Sequence, residues 1–283
     1  MMQPACVRFS LAIAILLVAL PTVKAQQPTP TPSPGRSYST GALPKTPPPA
    51  GPKGQSPVTF TDITVLTKIN FKHEGSPTSV KYLLETMGGG VAMLDYDNDG
   101  RMDLFFTNGA LLKDPMPKGA MPDKGDSRFW NRLYHQKADG TFEDVTEHAG
   151  LKGDGFGMGV AAGDYDNDGY VDLYVTGYGA NHLYHNNGDG TFTDVTRKLG
   201  VGGGGWSTSA GWIDYDRDGR LDLFVARYLD WDFERGSILC GDVRPGLRAY
   251  CHPDNFKGVA NMLYHQKPDG NRDRKSTRLN SSH

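Results

Sequence analysis

The sequence predicts an all-β chain, about three four-stranded blades of a β-propeller whose ring is incomplete. Three observations carry that prediction. A nine-residue device recurs as DYDNDGRMD from Asp95, DYDNDGYVD from Asp164 and DYDRDGRLD from Asp214, always with Asp at positions 1, 3, 5 and 9 and Gly at position 6. A second string follows each copy: NRLYHQKADGTFEDVT from Asn131, NHLYHNNGDGTFTDVT from Asn181 and NMLYHQKPDG from Asn261. The runs flanking the device, such as GVAML before Asp95 and LFFT after Asp103, are short, apolar and rich in β-formers, which is the pattern of strands.

One period reads F-x-D-[IV]-T, a glycine-rich approach, the Asp loop, an apolar strand, N-x-L-Y-H and a D-G-T-F turn, and it begins with TFTDIT at Thr59. Asp-Gly between β-rich runs marks a hairpin. The Asp loops lie 69 and then 50 residues apart and the N-x-L-Y-H strings 50 and then 80 apart, so the base period is about 50, with insertions near 109–128 and 229–258. Four short strands at that period fit a propeller blade, a unit that buries its faces only by stacking on its neighbours. Leu133, Tyr134, Phe142 and Val145, with their counterparts Leu183, Tyr184, Phe192 and Val195, are the expected core. Propellers close with roughly 4–8 blades. A protein made from this sequence as written is therefore expected to be unstable or to aggregate through its open edges.

The Asp loop has the chemistry of a hard-cation site. Alternate residues of a tight loop aim inward, so Asp95, Asp97 and Asp99, Asp164, Asp166 and Asp168, and Asp214, Asp216 and Asp218 each supply oxygens at the about 2.3–2.6 Å that calcium takes. Position 7 is Arg101, Tyr170 or Arg220, a variation expected where only the backbone carbonyl is used. Asp103, Asp172 and Asp222 close the shell at position 9. An EF-hand would end in Glu at position 12 and lie between helices; here position 12 is Phe106, Val175 or Val225. Magnesium, which keeps its waters, is the weaker alternative to calcium. The plainer reading is that Asp, Asn and Gly favour turns, which accounts for one loop better than for three in the same spacing.

With Phe156-Gly157-Met158-Gly159 ahead of the second loop, the pattern resembles the FG-GAP/VCBS repeat of integrin α-subunit propellers. More narrowly, ETMGGGVAMLDYDNDG, GWSTSAGWIDYDRDGRLDLFVARYLD and YCHPDNFKGVANMLYH look like bacterial relatives of cartilage acidic protein, a group that usually carries an ASPIC/UnbV domain at its C-terminus. The resemblance spans roughly residues 58–270. It implies an N-terminal β-propeller with calcium in the Asp loops, and it implies no activity.

The ends of the chain differ from the repeats. Residues 1–25 read as a secretory signal, with Arg8, an apolar run from Leu11 to Leu20 and a Val23-Lys24-Ala25 cleavage site. Ten apolar residues are too few to span a bilayer, so no transmembrane segment is expected after cleavage; a membrane anchor is the competing reading. Cys6 precedes the apolar run, which argues against a lipoprotein. Residues 26–57 contain 10 prolines in 32 positions and read as an extended linker. Residues 58–272 hold the repeats. Residues 273–283, DRKSTRLNSSH, match the translation of a common sequencing-library adapter, so the genuine chain is expected to run on beyond them; a native basic tail is the competing reading. Setting aside Arg8, Lys24, Arg274, Lys275, Arg278 and Asp273 leaves 25 basic against 31 acidic side chains, a net charge of −6. That is no basic nucleic-acid footprint.

Cys240 and Cys251 fall in the second insertion, and in an exported chain they are expected to form a disulfide. The alternatives are a metal or redox site with His252, or two free thiols. His135, His185 and His265 recur after Leu-Tyr in every unit, which indicates structural hydrogen bonding rather than catalysis. Trp206, Trp212 and Trp231 could floor a carbohydrate or partner site, but Trp206 and Trp212 sit in the repeat's strands and read as core. Gly202–Gly205 lacks the Gly-Lys-Ser/Thr ending of a phosphate loop. Asp230, Asp232 and Glu234 read as solvated surface. The expected function is an exported calcium-binding propeller, periplasmic, surface-displayed or extracellular, that binds a protein, a glycan or the envelope. The alternative is the propeller of an extracytoplasmic enzyme, or a passive scaffold, whose active domain lies outside this sequence. Propellers do host active sites, but no nucleophile motif or cofactor fingerprint stands in this chain.

Overall fold

The computed structural model describes residues 59–241 and 248–267, and the backbone alone of 272–277. The expected signal and linker segments, 1–25 and 26–57, lie outside the described residues. The chain divides into two units, Met1–Thr59 and Phe60–His283, and the repeats belong to the second.

The repeats fold as antiparallel blades. After a short helix α1 (Thr64–Thr67), the first blade is β1 (Val91–Leu94), β2 (Asp103–Phe106), β3 (Arg132–Gln136) and β4 (Phe142–Asp144), paired in that order. Helix α2 (Thr146–Ala149) leads to the second blade, β5 (Phe156–Gly163), β6 (Asp172–Gly179), β7 (His182–Asn186) and β8 (Phe192–Asp194). Helix α3 (Thr196–Leu199) leads to the third, which begins with β9 (Gly205–Ile213) and β10 (Asp222–Arg227). Before it is complete, the second insertion adds the two-residue strands β11 (Leu229–Asp230), β12 (Cys240–Gly241), β13 (Arg248–Ala249) and β14 (Lys257–Gly258). The blade then ends with β15 (Asn261–Gln266) and β16 (Arg272–Thr277). A short pairing of Tyr178, at the end of β6, with Trp206 at the start of β9 joins the second and third blades. No closed ring forms among the described residues. The pairing of Gln266 with Arg272 repeats that of Gln136 with Phe142 and of Asn186 with Phe192.

Period-2 alternation gives each blade two apolar faces. On β1 and β2 of the first blade, Ala92, Leu94 and Phe105 are buried against Val160, Ala162, Val171, Leu173 and Val175 of the second. Tyr174 and Leu183, on the opposite face of the second blade, pack on Leu223, Val225 and Trp212 of the third. Cutting such a buried leucine to alanine typically costs about 2–5 kcal/mol. The expected core is bipartite: Leu133, Tyr134, Leu183, Tyr184 and Phe192 are buried, while Phe142, Val145 and Val195 are only partly so. The reason is position. Phe142 lies on the outward face of the first blade, where Met93 (64% exposed), Met102 (44%), Leu104 and Phe106 line an apolar groove of about 500 Å³. These residues occupy the places that Ala162, Val171, Leu173 and Val175 hold in the second blade, where a neighbour covers them. At the other end, Ile213 (49% exposed) and Tyr215 (39%) are similarly open.

The Phe-Gly-x-Gly approach has a packing reason. A Cβ on Gly90 would stand 2.9 Å from the Cα of Gly159, and one on Gly159 would stand 2.6 Å from the Thr208 carbonyl oxygen. The innermost strands of adjacent blades thus run backbone against backbone, which only glycine permits.

The two insertions meet at the opposite end of the blades from the Asp loops. Leu112 and Met116 of the first and Leu229, Trp231 and Phe233 of the second join Tyr82, Phe156, Tyr178 and Trp206 in one buried cluster. Its rings meet edge to face, with Trp231 5.2 Å from both Tyr178 and Trp206. Trp206 and Trp231 are therefore core, and Trp212 is a partly buried neighbour of the third-blade cluster. Cys240 and Cys251 are joined by a disulfide, Cα to Cα 5.2 Å. Asp230 and Asp232 pair with Arg235, and Glu234 with Lys118 of the first insertion at 3.0 Å.

Candidate metal centres

Each Asp loop links the innermost strand of a blade to the second, and the backbone builds all three alike. Position 4 is left-handed in every copy, at φ 58° for Asn98 and Asn167 and 62° for Arg217, and the position-6 glycines follow at φ 85°, 91° and 85°. This double left-handed step curls the loop so that its own amides meet its first carboxylate. The Asp99 and Gly100 N–H groups donate to Asp95 at 3.0 and 2.8 Å, and Asp164 and Asp214 receive the same pair. The position-5 carboxylates accept the position-7 amides, Arg101 to Asp99, Tyr170 to Asp168 and Arg220 to Asp218, each at 2.9 Å.

Position 9 is the anchor. Asp103, Asp172 and Asp222 have no exposed surface. Each accepts the amide of position 2 (Tyr96, Tyr165 or Tyr215, at 3.2, 3.1 and 3.4 Å) and that of the residue ending the third strand (Gln136, Asn186 or Gln266, each at 2.8 Å). The loop is thereby tied to its sheet. Burial pushes the Asp103 carboxyl up and Asp172 to about 7, against the pull of those amides. Burial and the neighbouring Asp168 carboxylate also raise Asp166.

The sequence-predicted carboxylates converge. One oxygen each from Asp95, Asp97 and Asp99 lie within 4.8 Å of one another, as do those of Asp164, Asp166 and Asp168. Ligands around one ion at about 2.3–2.6 Å stand no more than about 5 Å apart, so the spacing fits a single hard cation. A second grouping at the same spacing brings in a residue that the sequence did not assign to the site: Asp97, Asp103 and His135, with Asp166, Asp172 and His185, and Asp216, Asp222 and His265. His135 Nδ1 lies 3.2 Å from Asp103 and 3.5 Å from Asp97, His185 Nδ1 3.3 Å from Asp172, and His265 Nδ1 3.1 Å from Asp222. Only the last has hydrogen-bond alignment; the His135 and His185 Nδ1 atoms are buried without a hydrogen-bond partner, facing the acids. The signal for these histidines lies in strand register. Pairing of Leu104 with Tyr134, Leu173 with Tyr184 and Leu223 with Tyr264 sets each histidine opposite a position-9 Asp.

Position 7 divides the loops. The Arg101 guanidinium pairs with Asp99 Oδ2 and donates through Nε to the Gln136 carbonyl at 2.7 Å. Arg220 repeats this with Asp218 and the Gln266 carbonyl at 3.2 Å. Tyr170 of the second loop lies instead close beside Gly188.

A different titratable cluster lines an open cleft of about 800 Å³ beside the second blade. His182 stands between Asp154 at 2.6 Å and Asp194 at 2.9 Å. Burial alone would lower its pKa, but the two carboxylates outweigh it and raise it.

A protein-family model described as the FG-GAP-like repeat matches residues 119–175 and again 164–225. Both stretches include the second Asp loop, and the later one also includes the third. No curated protein matches the chain. Residues 119–225 of this chain are accordingly FG-GAP-like repeat, folded as antiparallel blades of propeller type.

Proposed function

We propose that the chain is a calcium-stabilised, propeller-type binding module that works outside the cytoplasm and holds a protein, glycan or envelope ligand. The observation that supports it best is the convergence of loop carboxylates at the same place in successive blades. In the first loop Asp95, Asp97, Asp99, the Arg101 carbonyl and Asp103 would hold the ion, and the second and third loops correspond by position. Calcium supplies positive charge where four carboxylates otherwise repel. The chain's own amides hold those carboxylates in place, which lowers the ordering cost of binding. The disulfide in the second insertion suits an oxidising compartment.

The test is thermal melting of the secreted form in 2 mM calcium against chelator. Extracellular modules bind calcium at about 10⁻⁴–10⁻³ M. At about 10⁻⁴ M each site adds about 1.8 kcal/mol, and three sites raise the midpoint by roughly 10–20 °C. An unchanged midpoint overturns the calcium reading. Pull-down of glycans and envelope fractions in calcium then addresses the ligand; no retention in either condition overturns the binding role.

A further inference from the structure

We infer that the three loops are unequal calcium sites, with the second filling first, because Arg101 and Arg220 act as internal competitors in the other two. The inference rests on the calcium reading above.

In every loop the position-5 carboxylate spends its Oδ1 on the amide of position 7, so Oδ2 is the oxygen left to face an ion. In the first loop that oxygen belongs to the Arg101 guanidinium, and in the third the matching oxygen of Asp218 belongs to Arg220. Neither arginine is incidental to its loop, since Nε of each is seated on the carbonyl that ends the third strand. A cation entering either loop must break that ion pair and move a guanidinium aside. In the second loop Tyr170 brings no charge, and among the described residues the one basic side chain paired with Asp168 Oδ2 is His185, through Nε2 at 3.9 Å. Ligand charge is one of the factors that tune affinity in calcium loops. Here the effective count is three net negative charges in the arginine loops against four in the tyrosine loop. Coulomb's law in water, for a dication and a guanidinium about 5 Å apart, gives an affinity difference of about tenfold.

Calorimetric titration of the whole chain with calcium alone tests this. The expected isotherm has one tight site and two sites about tenfold weaker. Arg101→Gln and Arg220→Gln each move one weak site into the tight class, and Tyr170→Arg removes the tight class. Gln at position 7 keeps the backbone carbonyl and needs no repacking of the core, so these variants retain the fold; circular dichroism in chelator checks that. Three equal sites in the parent chain, or unchanged affinities in both glutamine variants, overturn the inference while leaving calcium binding intact. An absence of any binding heat overturns the underlying reading as well, so the two failures are distinct.

Discussion

The carboxylates of one loop are predicted to separate into an anchor and a ligand when each is truncated in chelator. Asp172 has no exposed surface and accepts two buried amides, Asn186 at 2.8 Å and Tyr165 at 3.1 Å. Asp172→Ala leaves both without an acceptor, at about 1–3 kcal/mol each. Some of that is returned, since burial raises this carboxyl to about 7 and so destabilises the ionised form that predominates at pH 8. The net loss is about 2–4 kcal/mol, or roughly 4–16 °C of midpoint for a unit of this size. Asp168 offers its oxygens to one exposed amide, that of Tyr170, so Asp168→Ala changes stability by no more than about 0.5 kcal/mol. In calcium both variants lose the increment of the second loop. The assay is differential scanning fluorimetry of the three proteins, each with calcium and with chelator. Equal midpoints for Asp172→Ala and Asp168→Ala in chelator would refute the anchor role of position 9.

In chelator, stability is expected to be lowest near neutral pH. Asp172, raised from 3.8 to about 7, binds a proton in the folded state that the unfolded chain has lost, so stability falls as pH rises through that window. His182, raised above 6.5, adds to the fall as pH passes its folded pKa. Lys124, buried and pulled from 10.5 to about 7, acts in the opposite sense, and stability recovers between those values; urea midpoints from pH 4.5 to 9.5 that change in one direction only would contradict this. Arg217→Asn is expected to stabilise by about 0.5–1 kcal/mol, because the third loop asks a non-glycine residue for φ 62° where its sister loops use Asn; an unchanged or lower urea midpoint argues against it. Met93→Lys, on the open face of the first blade, should reduce concentration-dependent light scattering, and unaltered scattering would place self-association elsewhere.

What the sequence revealed and what it hid divide along the range of the interactions. The Asp loops were legible because all their determinants lie within nine residues: the carboxylates, the left-handed Asn and the glycine. Strand alternation and the roughly 50-residue period gave the blade, since a hairpin's register is set by its turn. His135 could be read as structural but not as a neighbour of Asp103, because 32 residues and an insertion separate them and only the pairing of β2 with β3 brings them together. Phe142 is half-open for the same kind of reason: its counterpart Phe192 packs on Tyr96 of the preceding blade, and among the described residues no blade precedes the first. Variation at position 7 points only to the backbone carbonyl, and the arginine pairing with the position-5 carboxylate arises once the loop closes.

Topology then separates two kinds of surface. In an antiparallel blade the connections from first to second strand and from third to fourth share one end, and that from second to third lies at the other. The first end carries the Asp loops, where the carboxylates are spent on loop amides, the ion or the sheet and Arg101 and Arg220 on the position-5 carboxylates, which leaves little room for sequence to encode a ligand. The second end carries the insertions, which differ in length and composition from blade to blade. There Lys118 and Met121 of one insertion and Asp232, Phe233 and Glu234 of the other enclose a cleft of about 230 Å³ over Tyr178. The cleft is mixed in charge and floored by an aromatic ring, on a base fixed by the Trp206–Trp231–Phe233 cluster. A rigid aromatic floor with adaptable polar walls is the usual composition of a recognition surface. The proposed ligand is therefore to be sought at the insertion end, with the Asp loops holding the frame on which those insertions are displayed.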